Sequence, residues 1–300
     1  MKALLILLLL SARLSPLTTE PSLQVAIREP LRGAEIPPIA PADVRVLRHS
    51  TRLFLTDWLP LMGDNAGLEF YVLIDERLDP SQLALFEKLR QFVFTQAPTT
   101  SIGIAYMHNG EAQITQSPTR DHSLAARAVH PTSGNARANA SSFFSPCVPI
   151  NRWQAGDKLQ REVLLVLNRL DIFNDVGRYN AYLEETIADA QAAGVLDDCR
   201  YVPALGHSSH SPALIHGCQV ARLAEETGRE AYIGEPQPPL SFEPYLADLA
   251  KHLSNQYLAT FLATPAAGDG FQPVRTRVEV PNAETISAHR FYLKTREALP

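Results

Sequence analysis

Apolar and polar positions follow two rhythms along this chain. Short unbroken apolar runs, FYVLI at Phe70–Ile74 and VLLVL at Val163–Leu167, have the length and composition of strands covered on both faces. Between such runs the apolar residues recur at i, i+3 and i+4. Leu83, Leu85, Phe86, Leu89, Phe92 and Val93 lie on one face of a helix predicted from about Pro80 to Phe94. The same rhythms predict strands at Glu69–Ile74, Thr100–Met107, Glu111–Thr115, Arg161–Asn168, Val195–Val202 and Glu230–Ile233. They predict further helices around Leu124–Val129, Tyr179–Ala193, Ile215–Glu226 and Phe242–Ser254. Asn109-Gly110 suits a two-residue hairpin turn, Asp121 suits an N-cap, and Gly194 and Gly228 suit helix ends.

Strands alternating with helices of ten to fifteen residues predict an α/β fold. It is a Rossmann-like, doubly wound and mostly parallel sheet. Val44–Leu47 and Thr51–Trp58 alternate as edge strands would. Gln256–Ala263, Arg275–Val280 and His289–Leu293 read as an antiparallel C-terminal extension of the main sheet. The expected organisation is a signal peptide at 1–12, an extended lead-in with edge strands at 13–65, an α/β domain at 66–255 and the strand extension at 256–300. Proline-rich stretches before residue 65 and between Pro236 and Pro244 read as linkers.

Composition narrows the setting. Met1-Lys2, the run ALLILLLL at Ala3–Leu10 and the small pair Ser11-Ala12 form a compact secretory signal. A buried N-terminal helix is the alternative. Export to the periplasm or the exterior is therefore expected, and no later segment is long and apolar enough for a stable membrane span. A net charge of −5 without a Lys/Arg cluster argues against a nucleic-acid partner. Three cysteines permit one disulfide. Cys199 and Cys218 are the better pair, since both belong to one αβα region; Cys147 would remain. Three buried free thiols is the alternative.

The chemistry concentrates where the first apolar run stops. Asp75 ends it, Asp79 follows four residues later, and Arg77 stands between. Ligands of open α/β sheets bind at the carboxyl ends of strands, so this is where a site is expected. Two acids could form a catalytic pair, but the intervening Arg77 and the lack of a nucleophile motif such as Gly-x-Ser-x-Gly argue against it. No Gly-x-Gly-x-x-Gly or P-loop follows a strand, so nucleotide binding has little support. The segment GHSSHSPALIHGC carries His207, His210 and His216 at spacings that could hold zinc, or is a polar loop leading into a helix. Asn139-Ala140-Ser141 fits a glycosylation sequon by chance, and Trp58 and Trp153 suit packing.

Four stretches in this order resemble a von Willebrand factor type A domain, and more narrowly the secreted bacterial VWFA-related branch. They are FYVLID; REVLLVLNRLDIF, where the family usually runs into Ser-Asp-Gly-Ile-Asp; ARLAEETGREAYIG at Ala221–Gly234; and NQYLATFLATP followed by VRTRVEVPNAE. The resemblance covers about Glu69–Leu293, and the histidine segment is similar to a Gly-His-x-x-His-Ser stretch of the same branch. In that superfamily an Asp-x-Ser-x-Ser loop, a Thr and an Asp commonly hold Mg²⁺, and an open position accepts a partner's carboxylate. Asp75 matches the first Asp. The two Ser positions hold Arg77 and Asp79, and the third-loop Asp falls on Asn168, followed by Arg169. The middle loop falls within 135–149, where Ser141, Ser142 and Ser145 are alternatives for the Thr.

The resemblance thus implies a degenerate adhesion site, vestigial at Asp75 and Asp79. An Arg cannot ligate a cation, but its fork can bind carboxylates. No cofactor is expected; weak binding of Mg²⁺ or Ca²⁺ is the competing expectation. The implied function is an exported, non-enzymatic module that binds a protein ligand. Its face would comprise Asp75, Glu76, Arg77, Asp79, Asn168, Arg169 and Asp171. The alternatives are a metal-dependent hydrolase using the histidine loop and a purely structural envelope protein.

Overall fold

A computed structural model describes residues 20–28, 37–62, 65–78, 80–108, 111–133, 160–167, 181–193, 195–201, 222–233, 243–264 and 270–293. The N-terminal strands are β1 (Ser22–Arg28), β2 (Val44–Arg48), β3 (Thr51–Arg52) and β4 (Phe54–Pro60). The α/β part holds β5 (Leu68–Asp75), β6 (Ser101–His108), β7 (Glu111–Thr119), β8 (Gln160–Leu167), β9 (Val195–Tyr201) and β10 (Ala231–Ile233). Its helices are α1 (Leu83–Phe94), α2 (His122–Ala128), α3 (Ala181–Ala193) and α4 (Glu243–Ser254), and residues 222–227 are helical as well. Last come β11 (Gln256–Leu262), β12 (Gly270–Pro273), β13 (Arg275–Val278), β14 (Glu284–Ile286) and β15 (Arg290–Leu293).

The main sheet has the order β10-β9-β8-β5-β6-β7. Every neighbouring pair in it is parallel except β6–β7, the expected hairpin. The pleat of β5 sends Phe70, Val72 and Ile74 to one face and Tyr71 and Leu73 to the other. On the first face they pack with Phe86, Leu89 and Val93 of α1, Ala125 of α2 and Leu246 and Leu249 of α4. On the second they pack with Leu183, Ile187 and Ala190 of α3 and with Leu223 and Ala224. Both faces are covered, which is why β5 and β8 read as continuous apolar runs rather than alternating ones. Asp121 caps α2 as expected, its Oδ1 accepting the Leu124 N–H at 3.0 Å.

The C-terminal strands are antiparallel, as expected, but they do not extend the main sheet. They pair with the N-terminal strands in separate sheets ordered β14-β1-β11-β4 and β13-β2-β3, with β12-β15 as a further ribbon. Strand patterning shows which residues face a core, not which strand lies alongside. The part read as an extended lead-in contributes β1, buried along Leu23–Ile27 and paired with β11 and β14. These sheets have their own core, built on Val25, Ile27, Val46, Trp58, Tyr257, Phe261 and Phe291. Trp58 stacks on Tyr257 with ring centroids 4.6 Å apart, and its indole N–H donates to Ile39 O at 3.2 Å.

Polar bonds tie this part to the amino end of the main sheet. The Gln160 amide donates to Leu61 O at 3.1 Å, and Leu61 N–H donates to Gln256 O at 2.9 Å. The Gln256 amide donates to Glu162 at 3.2 Å. Arg229 reaches the same carboxylate with Nε and Nη2, at 2.5 and 3.1 Å, and both side chains are fully buried. Such a pair is stable only while both members are present. Gly228, at φ +95°, brings the arginine there: an added Cβ would stand 2.8 Å from Ala288 N, in a left-handed backbone that disfavours it.

Candidate functional site at the carboxyl end of the sheet

The strand β5 lies between β6 and β8, and its parallel register places its last residue, Asp75, opposite Met107. The ladder continues one step, with Glu76 N–H donating to Met107 O at 3.3 Å. The chain then turns, closed by Leu78 N–H on Asp75 O at 3.0 Å. Asp75 is 1% exposed, so its carboxylate must be satisfied from within.

Arg77 does this twice. Its backbone N–H donates to Asp75 Oδ1 at 2.9 Å, the local bond that makes Asp a turn residue. Its guanidinium also lies along the carboxylate. Nε is 2.9 Å from Oδ1 and 3.2 Å from Oδ2, and Nη2 is 2.9 Å from Oδ2. This is the two-pronged pairing that guanidinium and carboxylate geometry favour. The Arg77 side chain is itself only 9% exposed, so the pair is sheltered from screening.

Two more contacts shape this end. Glu76 meets His108 Nδ1 at the end of β6. Thr132, on the segment after α2, is buried and donates its hydroxyl to Leu78 O, joining the two loops. Tyr106 holds that segment in place. Its hydroxyl donates to His130 O at 2.8 Å and accepts from His130 N–H at 2.7 Å, while the two rings stack 4.4 Å apart. Burial pushes the Tyr106 phenol up to about 12, against the opposing pull of the His130 backbone bond.

A divalent cation at this position would need anionic or neutral oxygens facing an open place. Both oxygens of Asp75 instead accept from Arg77, and a guanidinium offers no lone pair. Among the described residues, the donors at Asp75 do not fit a metal ion.

The sheet order, the lone antiparallel edge strand and a buried aspartate at the tip of β5 agree with the four sequence stretches. The chain has a Rossmann-like α/β fold with a mostly parallel sheet, which resembles a von Willebrand factor A domain. No family model matches the sequence. An uncharacterized protein of Mycobacterium tuberculosis is 31% identical over 137 residues, 40% of this chain and 19% of that protein. The chain thus spans about a fifth of the length of the curated relatives it matches. Similar solved structures include BatB of Bacteroides thetaiotaomicron, at 11% identity and TM-score 0.43, over 63% of this chain and 98% of that one. Another is the ArnB paralog VWA2 of Sulfolobus acidocaldarius, at 11% and 0.42, over 92% and 75%. The VWA domain of SpRpn10 matches at 17% and 0.38, over 60% and 92%.

Of the residues expected here, the structure brings Asp75, Glu76 and Arg77 together. Asp79, Asn168, Arg169 and Asp171 lie outside the described residues. So do the leader, the 135–149 stretch, the histidine loop and Cys218; Cys199 is placed only as part of β9. Sequence reasoning missed Thr132 and His108. Thr132 precedes the stretch assigned to the middle loop by three positions, and the end of α2 could have pointed to it. His108, next to Asn109-Gly110 in the sequence, gave no signal of its own. Among the described residues, no helix is long and apolar enough to cross a membrane.

Proposed function

We propose that this chain is an exported, non-enzymatic protein-binding module with a degenerate adhesion site, which meets its ligand through the carboxyl-end face of the main sheet without a metal at Asp75. One observation carries this reading: the Arg77 fork on both oxygens of Asp75, where the resemblance implies a cation. A carboxylate neutralised by its own chain cannot act as a base or recruit a hydrolytic metal. It can brace a loop that presents Glu76 and its neighbours. The leader pattern supports export, and the von Willebrand factor A-like fold supports a role in protein contact. Fold by itself does not name a partner.

The test has two arms. The immobilised chain is used to capture a partner from a native envelope fraction, and the purified partner is then titrated against variants. Arg77→Ser/Asp79→Ser should weaken binding by about tenfold or more. Asp248→Asn, at the opposite end of the sheet, should leave it unchanged. Equal binding by all of these proteins would sink the proposal. In the second arm, thermal unfolding of the wild type is followed with millimolar Mg²⁺ or Ca²⁺, and no shift is expected. A rise of several degrees that Asp75→Asn abolishes would refute the metal-free part, because a ligand of the native state alone must stabilise it.

A further inference from the structure

At the amino end of the sheet, away from Asp75, three side chains converge that the proposed binding face does not use. Glu230 immediately precedes β10. Asp248 and His252 stand four apart on α4 and therefore share one face of the helix. One ligand atom from each lies within 4.8 Å of the other two. Ions such as Zn²⁺ sit about 2.0–2.2 Å from nitrogen and oxygen ligands, so ligand atoms around one ion lie roughly 3–4.5 Å apart. The one distance resolved within the cluster, His252 Nε2 to Asp248 Oδ2, is 3.8 Å and falls in that range.

The histidine supplies an independent sign. His252 is 2% exposed, yet its Nδ1 has no hydrogen-bond partner among the described residues. Its Nε2 lies 3.8 Å from Asp248 Oδ2, too far for a hydrogen bond. A buried imidazole left without a hydrogen bond is uncommon and calls for an explanation. Arg28 bonds Glu230 at 2.6 Å and Glu284 at 3.1 Å, so the cluster also touches β1.

We infer that Glu230, Asp248 and His252 form a binding site for a divalent first-row transition cation, with Zn²⁺ the best fit. One imidazole nitrogen with two carboxylate oxygens suits this class, whereas Mg²⁺ and Ca²⁺ take oxygen ligands alone. The ion would pin the last turns of α4 to the start of β10. Through the Arg28–Glu230 pair it would also brace β1. Its role is structural, and it does not depend on the state of the Asp75 site.

The experiment uses the full chain carrying His207→Ala/His210→Ala/His216→Ala, so that the histidine loop contributes nothing. Zn²⁺ is titrated by calorimetry, and Co²⁺ is followed by its visible absorption. The expected result is one saturable equivalent and a rise in Tm. Asp248→Asn should weaken binding by about tenfold or more and change the Co²⁺ spectrum. Asp248 is partly exposed, so this variant folds even if His252→Asn does not. No saturable binding, or the same affinity and spectrum in Asp248→Asn, would overturn the inference.

Discussion

Both ends of the main sheet bury an arginine against a carboxylate, but they build the pair differently. At the carboxyl end Asp75 and Arg77 are two residues apart, and one turn of chain makes the whole contact. At the amino end Glu162 and Arg229 are 67 positions apart, and Gln256 from the antiparallel part joins them. The first pair satisfies a local loop. The second exists only when three distant parts of the chain have come together. A local pair can be rebuilt by changing one loop, which suits a surface that varies with its ligand. A remote pair is architecture, and losing either member leaves a charge with nowhere to go.

Four measurements would break or sharpen that contrast. The largest effect is expected from Glu162→Gln, which strands Arg229 and should cost about 3–5 kcal/mol in urea unfolding. Glu162→Leu/Arg229→Met should recover most of that loss; no recovery would mean the pair does more than neutralise itself.

Alkaline pH comes next and acts on the carboxyl end. The unfolded Tyr106 phenol loses its proton near its ordinary 10, whereas the folded one keeps it until about 12. Between these values the unfolded state binds fewer protons, so stability is intact below pH 10 and falls as pH rises through this window. The loss should reach about 2–3 kcal/mol. Tyr106→Phe should flatten this part of the stability profile.

Arg77→Ser should cost less than Glu162→Gln, about 2 kcal/mol, because Asp75 keeps the N–H of residue 77. Added Mg²⁺ should return part of that stability to the variant and none to the wild type. A larger loss than for Glu162→Gln would reverse the ranking of the two ends. Smallest of all, Thr132→Val should cost about 1 kcal/mol and speed amide exchange at residues 131–133. An unchanged exchange rate would show that Tyr106 alone holds that segment.

The parallel strands were legible because burial on both faces writes itself as an unbroken apolar run. Arg77 on Asp75 was legible too, since two residues of chain leave a guanidinium few other places to reach. The Glu162–Arg229 pair was not. Glu162 looks like the polar start of a strand and Arg229 like part of a helix-ending turn, and nothing local links them. The strand β1 was hidden for another reason. Its buried stretch does not alternate, and prolines on either side made it read as a linker. The histidine on α4 reads in sequence as a polar residue in a last helical turn, and only its burial singles it out.

The pairing of β1 with β11 sets an order of events for the polypeptide. Ser22 finds Thr260 across 238 positions of chain, so the earliest described strand waits for one of the latest described ones. Contacts of such sequence separation form slowly. Until they do, the apolar stretch from Leu23 to Ile27 stands as an open edge available to any passing strand. A chain made front end first therefore emerges unfinished, and its window for misassembly closes only when β11 arrives.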